Sequence, residues 1–282
     1  MGTDPGATLR ALHRPGDPFV LMNAWDAGSA RLLAALGAQA IGTTSAGFAF
    51  TRGLPDGARI TRDAALAHAE ALVAATPLPV SGDLENGYGE APEHVAETVR
   101  LAAEAGLAGA SIEDTDLPGS GAYWFQHALE RIRAAVSAAR ALPRDFVLVA
   151  RADGLMTGAY DLTEAVRRAE AFAEAGADCV YVPLLPDLAA VRRLCAAVPV
   201  PVNVLTAGPL ARSTRAALAE AGVGRISLGS GLARVAHRAT VEAARAILDN
   251  GDFSALATGM PGTEVDALLA RGAEGAAERI RD

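Results

Sequence analysis

Ala103-Glu104-Ala105-Gly106-Leu107-Ala108-Gly109-Ala110-Ser111-Ile112-Glu113-Asp114 is the stretch whose reading decides the fold. It is a helix end, a glycine stop and a short apolar run that finishes on two acids. A glycine just past a helix takes the left-handed cap that ends it. A short apolar run without alternation reads as a strand buried on both faces. The tetrapeptide Ala-Glu-Ala-Gly returns at 173–176 and 219–222, each time just before a strand, and Ala34-Ala35-Leu36-Gly37 is a looser fourth copy. These four joints precede strands two, four, six and eight. Strands three, five and seven are entered through proline instead: Pro77 and Pro79, Pro143, and Pro199 with Pro201.

Outward from these joints, eight such runs are expected as strands: Phe19–Met22, Ala40–Thr44, Val80–Asp83, Gly109–Glu113, Phe146–Arg151, Cys179–Pro183, Val202–Leu205 and Arg225–Leu228. Between them lie Ala/Arg/Glu-rich segments of helical period at 26–36, 61–75, 92–105, 127–141, 161–175, 187–197 and 211–221, with a last helix at about 231–249. Eight buried-type strands with a helix in every gap predict an α/β fold, a (β/α)8 TIM-type barrel, over residues 1–250. Residues 251–282 are expected as a C-terminal helical extension, with a helix at 263–270, packing on a partner subunit. No linker divides the chain.

Composition excludes several function classes. All 25 basic residues are arginine. Schiff-base chemistry and a P-loop both need a lysine, so lysine-dependent aldolases, PLP enzymes and P-loop NTPases are excluded. The net charge of −8 argues against nucleic acid and anionic membranes as partners. No run of about 18 uncharged apolar residues occurs, so no spanning helix is expected. The first 18 residues carry Asp4, Arg10, His13, Arg14 and Asp17 and do not resemble a signal peptide. Cys179 and Cys195 make no disulfide framework, and a cytoplasmic location is expected.

In this fold the chemistry comes from the carboxyl ends of the strands. Those ends read Asn23 and Asp26; Thr44, Ser45 and Gly47; Asp83 and Glu85; Glu113 and Asp114; Arg151 and Asp153; Asn203; Ser227 and Gly229. Asp83 and Glu85 are expected to share a face of strand three, because side chains alternate. Glu113 ends the neighbouring strand. Three converging carboxylates without lysine call for a cation, and hard oxygen donors without a His/Cys cluster suggest Mg²⁺ or Mn²⁺. The alternative is that some of these acids cap helices or pair with arginines. Arg151, emerging from an apolar strand, reads as a carboxylate or phosphate clamp, with an ion pair to Asp153 or Glu113 as its alternative. The amides of Thr44-Ser45-Ala46-Gly47 and the Ser45 hydroxyl are candidates to hold an anion. His68 and His94 read as solvated helix faces. His127 and His237 read as structural before they read as proton donors. Tyr123-Trp124-Phe125 reads as a lid or as packing under its loop.

Asn23-Ala24-Trp25-Asp26, Thr43-Thr44-Ser45-Ala46-Gly47, Gly53-Leu54-Pro55-Asp56-Gly57, Gly82-Asp83-Leu84-Glu85-Asn86-Gly87-Tyr88-Gly89, Ser111-Ile112-Glu113-Asp114 and Ala150-Arg151-Ala152-Asp153 together resemble the isocitrate lyase/phosphoenolpyruvate mutase superfamily. The resemblance runs from about residue 18 to 250. It implies a Mg²⁺ site with Asp83 as direct ligand and Asp56, Glu85 and Glu113 acting largely through metal-bound waters. It implies that Ser45, Ala46 and Gly47 hold a substrate carboxylate, that Arg151 and Asn203 also contact substrate, and that Arg151, Asp83 and Glu113 are catalytic. It further implies a homotetramer built as two dimers that exchange their last helices.

Two departures bear on the reaction. Lyases of this kind carry a Lys-Lys/Arg-Cys-Gly-His loop after strand four, and the mutases a Lys/Asn-bearing one. Here that loop is Thr115-Asp116-Leu117-Pro118-Gly119-Ser120-Gly121-Ala122-Tyr123. Strand six runs into Tyr181-Val182-Pro183, where lyases place a glutamate and mutases a histidine. The function expected is a Mg²⁺-dependent lyase that cleaves a C–C bond, or decarboxylates, next to a 2-oxo or 2-hydroxy di- or tricarboxylate. The alternatives are phosphoenolpyruvate/phosphonopyruvate mutase or hydrolase chemistry, and a weakly catalytic 2-oxo-acid-binding protein.

Overall fold

A computed structural model describes residues 4–57, 60–119 and 121–276. Eight parallel strands close in sequence order into a barrel. They are β1 (Phe19–Asn23), β2 (Ile41–Gly42), β3 (Val80–Asp83), β4 (Gly109–Glu113), β5 (Val147–Arg151), β6 (Cys179–Tyr181), β7 (Val202–Leu205) and β8 (Arg225–Ser227). The helices are α1 (Pro5–Leu12), α2 (Ala27–Ala35), α3 (Ser45–Thr51), α4 (Arg62–Ala75), α5 (Pro92–Glu104), α6 (Phe125–Arg140), α7 (Gly154–Thr157), α8 (Leu162–Glu174), α9 (Leu188–Ala197), α10 (Arg215–Glu220), α11 (Gly231–Asn250) and α12 (Gly262–Gly272). The expected (β/α)8 barrel is the observed fold.

The joints work as their residues dictate. Gly37, Gly106, Gly176 and Gly222 have φ of 91°, 85°, 101° and 90°, the left-handed region that a side chain resists. Five of the outer helices start on side-chain caps. Asp26, Thr61, Asp161, Asp187 and Thr214 each accept from the backbone N–H three residues on, a contact worth about 1 kcal/mol. Apolar side chains fill two layers. One lies between the strands and the helices around them. The other fills the barrel interior with Phe19, Leu21, Val147, Val149, Cys179 and Tyr181.

Three helices were not expected from the sequence: α1, α3 and the one-turn α7 that follows β5. α1 begins on Asp4 and Pro5, and its Leu9, fully buried, packs on the interior layer from the amino-terminal end of the barrel. α3 stands where Thr44-Ser45-Ala46-Gly47 was read as a loop: Thr44 caps it and accepts from the Gly47 N–H at 3.2 Å. Strand two is shorter than expected because the chain turns into that helix. The helix expected at 211–221 is confined to Arg215–Glu220, behind a single 3₁₀ turn at Gly208–Leu210.

Beyond the barrel, α12 lies on α2 of the same chain. The approach is so close that a Cβ at Gly272 would fall 1.9 Å from the Arg31 carbonyl oxygen. Residues 277–282 of the expected extension lie outside the described residues. No helix among the described residues is long and apolar enough to cross a membrane.

Candidate active site

The carboxyl ends of the strands surround a cavity of about 260 Å³. Asp83 stands at its wall at the end of β3. The β3–β5 side is bound together by one arginine. Arg151 donates from Nη1 to Asp83 Oδ1 at 2.8 Å, from Nε to Asp153 Oδ1 at 3.1 Å and from Nη2 to Asp153 Oδ2 at 2.6 Å, and it pairs with Glu113 Oε2 at 3.1 Å. The ion-pair alternative read for Arg151 is the one these contacts show, with Asp83 as a third partner. Burial lowers the guanidinium pKa, but Asp153, Glu113 and Asp83 outweigh it and hold the group charged. Asp83 Oδ2 accepts from the Ser45 backbone N–H at 2.9 Å and from Ser45 Oγ at 2.8 Å. Three of its roughly four lone-pair sites are thus taken, and the carboxylate itself sits on the N-terminus of α3.

Glu113 is buried and its pKa is pushed well up, first by burial. Glu85 is raised to about 7, first by burial and then by Asp83 and Asp56. The shared strand face expected for Asp83 and Glu85 does not exist. β3 ends at Asp83, and Glu85 sits in the left-handed region at φ 49°, so alternation has already stopped. Its side chain lines a neighbouring cavity with Asn86, Tyr88, Asp116, Leu117, Pro118 and Tyr123. The turn that carries Glu85 is held from below by Arg131, buried, which donates to the carbonyls of Asn86, Gly89 and Glu90. In a chain without lysine, arginine serves as the clamp for loops as well as for acids.

Ser45, Ala46, Asp56 and Asn203 line the main cavity. Gly47 sits behind that lining, its amide already given to Thr44. Asp114 is not an exposed acid of the site. It is buried and accepts from the Asp153 N–H, the Tyr160 hydroxyl and Arg168 Nη1, each at 2.8 Å, which fixes the strand ends that carry Glu113 and Arg151. Asp26 caps α2, and Asn23 ties β1 to β2 and β8 through Thr43 O, Leu228 N and Gly229 N.

The histidines stay away from this chemistry. His68 is no solvated face: it stacks on Phe48 at 4.0 Å and contacts the Trp25 carbonyl at 2.9 Å. His94 lines the neighbouring cavity. His127 meets the Glu90 carbonyl and His237 lies against Phe50. Cys179 is buried in the barrel and its thiol is raised to about 12; Cys195, on α9, is raised to about 11. Trp124 is exposed, while the Tyr123 hydroxyl accepts from Asn86 Nδ2 at 3.3 Å. Arg225 was missed as a site residue. It lies in the same cavity on β8, and strand alternation with Ser227 was the signal that places it inside.

The donor set fits a hard divalent cation. Asp83, Glu113 and Asp153 are three acids gathered around the guanidinium of Arg151, Glu85 stands in the neighbouring cavity, and all of their donors are oxygen. Among the described residues no three His, Cys, Asp or Glu side chains are placed to enclose an ion. Asp83 would be the residue to hold such an ion directly, with Asp56, Glu85 and Glu113 as the further acids of the set.

A closed parallel barrel with charged and polar groups gathered at the carboxyl ends of its strands defines a (β/α)8 protein of the enzyme type. Residues 9–248 match the model of the phosphoenolpyruvate phosphomutase family. The chain belongs to that family, within the isocitrate lyase/phosphoenolpyruvate mutase superfamily. The 2-methylisocitrate lyase of Escherichia coli is 33% identical over 70% of this chain and 68% of its own. A crystal structure from Burkholderia cenocepacia J2315, assigned provisionally as a lyase or mutase, is 45% identical, with a TM-score of 0.90 over 94% of this chain and 95% of its own. A phosphonopyruvate hydrolase solved with oxalate and Mg²⁺ is 25% identical, with a TM-score of 0.82 over 99% and 97% of the two chains. The superfamily is one of enzymes: lyases, mutases and hydrolases.

Proposed function

We propose that this chain is a Mg²⁺-dependent lyase that cleaves a C–C bond, or decarboxylates, next to a 2-oxo or 2-hydroxy di- or tricarboxylate. The observation that carries the reading is the Asp83 carboxylate, held by Ser45 and Arg151 on the wall of a cavity sized for a small acid. The 33% identical Escherichia coli relative is itself a C–C lyase by name. Asp83 would hold the divalent cation, which when bound would supply Lewis-acid chemistry at the substrate oxygens.

This chain's own residues do the rest. Ala46, at the start of α3, and Asn203 line the cavity where a substrate carboxylate enters, while Ser45 gives its N–H and hydroxyl to Asp83 and so fixes that carboxylate. Arg151 keeps a fixed positive charge beside the reacting end, in a site shielded from bulk water, where such a donor is worth on the order of 3 kcal/mol in the transition state. Asp153 and Asp114 hold Arg151 and its strand end in place and need no contact with substrate. The loop after β4 brings neither cysteine nor lysine, so the proton step differs from that of lyases that carry them. Turnover of oxaloacetate, methylisocitrate and phosphonopyruvate, each with Mg²⁺ and with chelator, tests the reading. C–C cleavage lost on chelation supports it. P–C cleavage, or binding without turnover, overturns it.

The same reading extends to assembly as a homotetramer built of two dimers. Support comes from α11 and the segment beyond it, which leave Val235, Val241, Leu248, Phe253, Leu256 and Met260 exposed on a lone chain. Light scattering should give a tetramer mass; a monomer at micromolar concentration refutes this part.

A further inference from the structure

Tyr181 closes β6 and is the register partner of Arg151 on β5 and of Asn203 on β7. Register partners of parallel strands project to the same side, so the three side chains turn together into the barrel. The Arg151 guanidinium lies over the Tyr181 ring at 5.1 Å, and the ring lines the main cavity with Asp83. Tyr181 is 8% exposed, so bulk water has little access to it. Its hydroxyl meets Ser227 on β8. Ser227 Oγ already accepts from Asn203 Nδ2 at 2.9 Å, so its own proton is the one to give to the Tyr181 oxygen. That leaves the phenol proton to point at the cavity.

The company of this proton says what it can do. Among the described residues, those that line the cavity include no histidine, cysteine, glutamate or lysine. Their other polar side chains are arginines, aspartates, asparagines and aliphatic hydroxyls. Arginine does not give up its proton in proteins, and an aliphatic hydroxyl is a weaker acid than a phenol. An ionised carboxylate has no proton to give. Tyr181 is thus the lining side chain that both carries a proton at neutral pH and can transfer it. Burial holds its phenol above the ordinary value, against the pull of Arg151, so the proton stays on oxygen until a stronger base forms beside it. The loop after β4 offers no cysteine, and Tyr181-Val182-Pro183 no glutamate or histidine, to compete for the task.

We propose that Tyr181 is a catalytic residue, the proton donor that quenches the carbon from which the C–C bond has been broken. The step rests on the lyase reading for the enolate that it quenches. The phenol O–H bond breaks as the new C–H bond forms, and the negative charge passes from the enolate to the phenolate. Arg151, already over the ring, stabilises that phenolate. The proton shed by the substrate hydroxyl, or one from water in a decarboxylation, returns to the phenolate and restores the phenol.

Steady-state cleavage of methylisocitrate and of oxaloacetate in Mg²⁺ tests the donor, with oxalate affinity by calorimetry as the measure of an intact site. Tyr181→Phe removes one oxygen and keeps the ring. Its kcat should fall at least about a hundredfold, the scale of a lost general acid, on whichever of the two acids the wild type cleaves. KM and oxalate affinity should change less than threefold. A variant that loses oxalate to the same extent as turnover overturns the donor, because the hydroxyl then only shapes the pocket. If Tyr181→Phe does not fold, a crystal structure of the wild type with oxalate and Mg²⁺ decides: a phenol within hydrogen-bond reach of oxalate supports the donor, and a phenol turned away refutes it. A wild type that cleaves neither acid fells the lyase reading and the donor with it, whereas a folded Tyr181→Phe as fast as the wild type fells the donor alone.

Discussion

The two sides of the barrel mouth treat buried charge in opposite ways. On the β3–β5 side, Arg151 touches three acids; Ser45 holds the Asp83 carboxylate in turn, and Asp114 accepts from the Asp153 N–H. On the β7–β8 side, Arg225 has one long contact to a serine and two open donors. The first side is electrostatically complete on its protein partners, apart from an excess of acid that suits a cation. The second leaves two guanidinium donors of Arg225 without a partner among the described residues. Buried charge is thus divided: one arginine holds the strand-end acids together, and the other has no acid of its own.

Substitutions test that division, beginning with the strongest. Asp83→Ala removes the proposed anchor for the cation, and metal-dependent turnover should vanish into the background of a steady-state assay. Full activity in this variant, or a wild type indifferent to chelator, ends the metal reading. Arg151→Met leaves Asp153 and Glu113 buried without their cation. Breaking a buried pair this way costs about 3–5 kcal/mol, which should lower Tm by roughly 10 °C in calorimetry. Its kcat/KM should fall at least about a hundredfold. Arg225→Met strands no acid, so its Tm should stay within about 2 °C of wild type or rise. Equal destabilisation by the two variants would erase the comparison.

The finest test is by pH. His13, at the end of α1, is lowered to about 3, first by burial and then by the Arg225 charge; Arg10 also lowers it, and the Leu9 carbonyl and Asp178 oppose the shift. The folded form keeps this imidazole neutral while the unfolded chain takes a proton below about 6.5. Stability should therefore fall as pH drops from about 6.5 towards 3, by at most about 1.4 kcal/mol per unit from this group. Denaturant titration of wild type and Arg225→Met checks it. The variant should retain more of its stability at low pH, because His13 then titrates closer to its ordinary value. Identical profiles would show that Arg225 has no hold on His13.

The barrel was legible because its signals are local. Ala-Glu-Ala-Gly before a strand forces a left-handed glycine, and the four joints read that way all have one. Asp83, Glu113, Arg151 and Asn203 were legible as strand ends. α1 was not expected although Asp4-Pro5 is a helix start, because it stands ahead of the strand–helix repeats and buries a single face. α3 was missed because Thr44-Ser45-Ala46-Gly47 looks like an anion loop. The anion it meets is Asp83, supplied 38 residues later. Glu85 was misread because a strand's alternation says nothing about where the strand stops.

The order of strands and helices, the absence of lysine and the acid-rich strand ends were fixed by sequence alone, since backbone propensity and side-chain chemistry act over a few residues. Only the closed barrel decided which charges cancel. It brings β3, β4 and β5 side by side, so that Arg151 reaches Asp83 across 68 residues of chain. It sets β8 beside β7 and β1, and among the described residues no acid forms an ion pair with Arg225. Coulomb energy depends on distance and burial in space, and the chain's order gives neither.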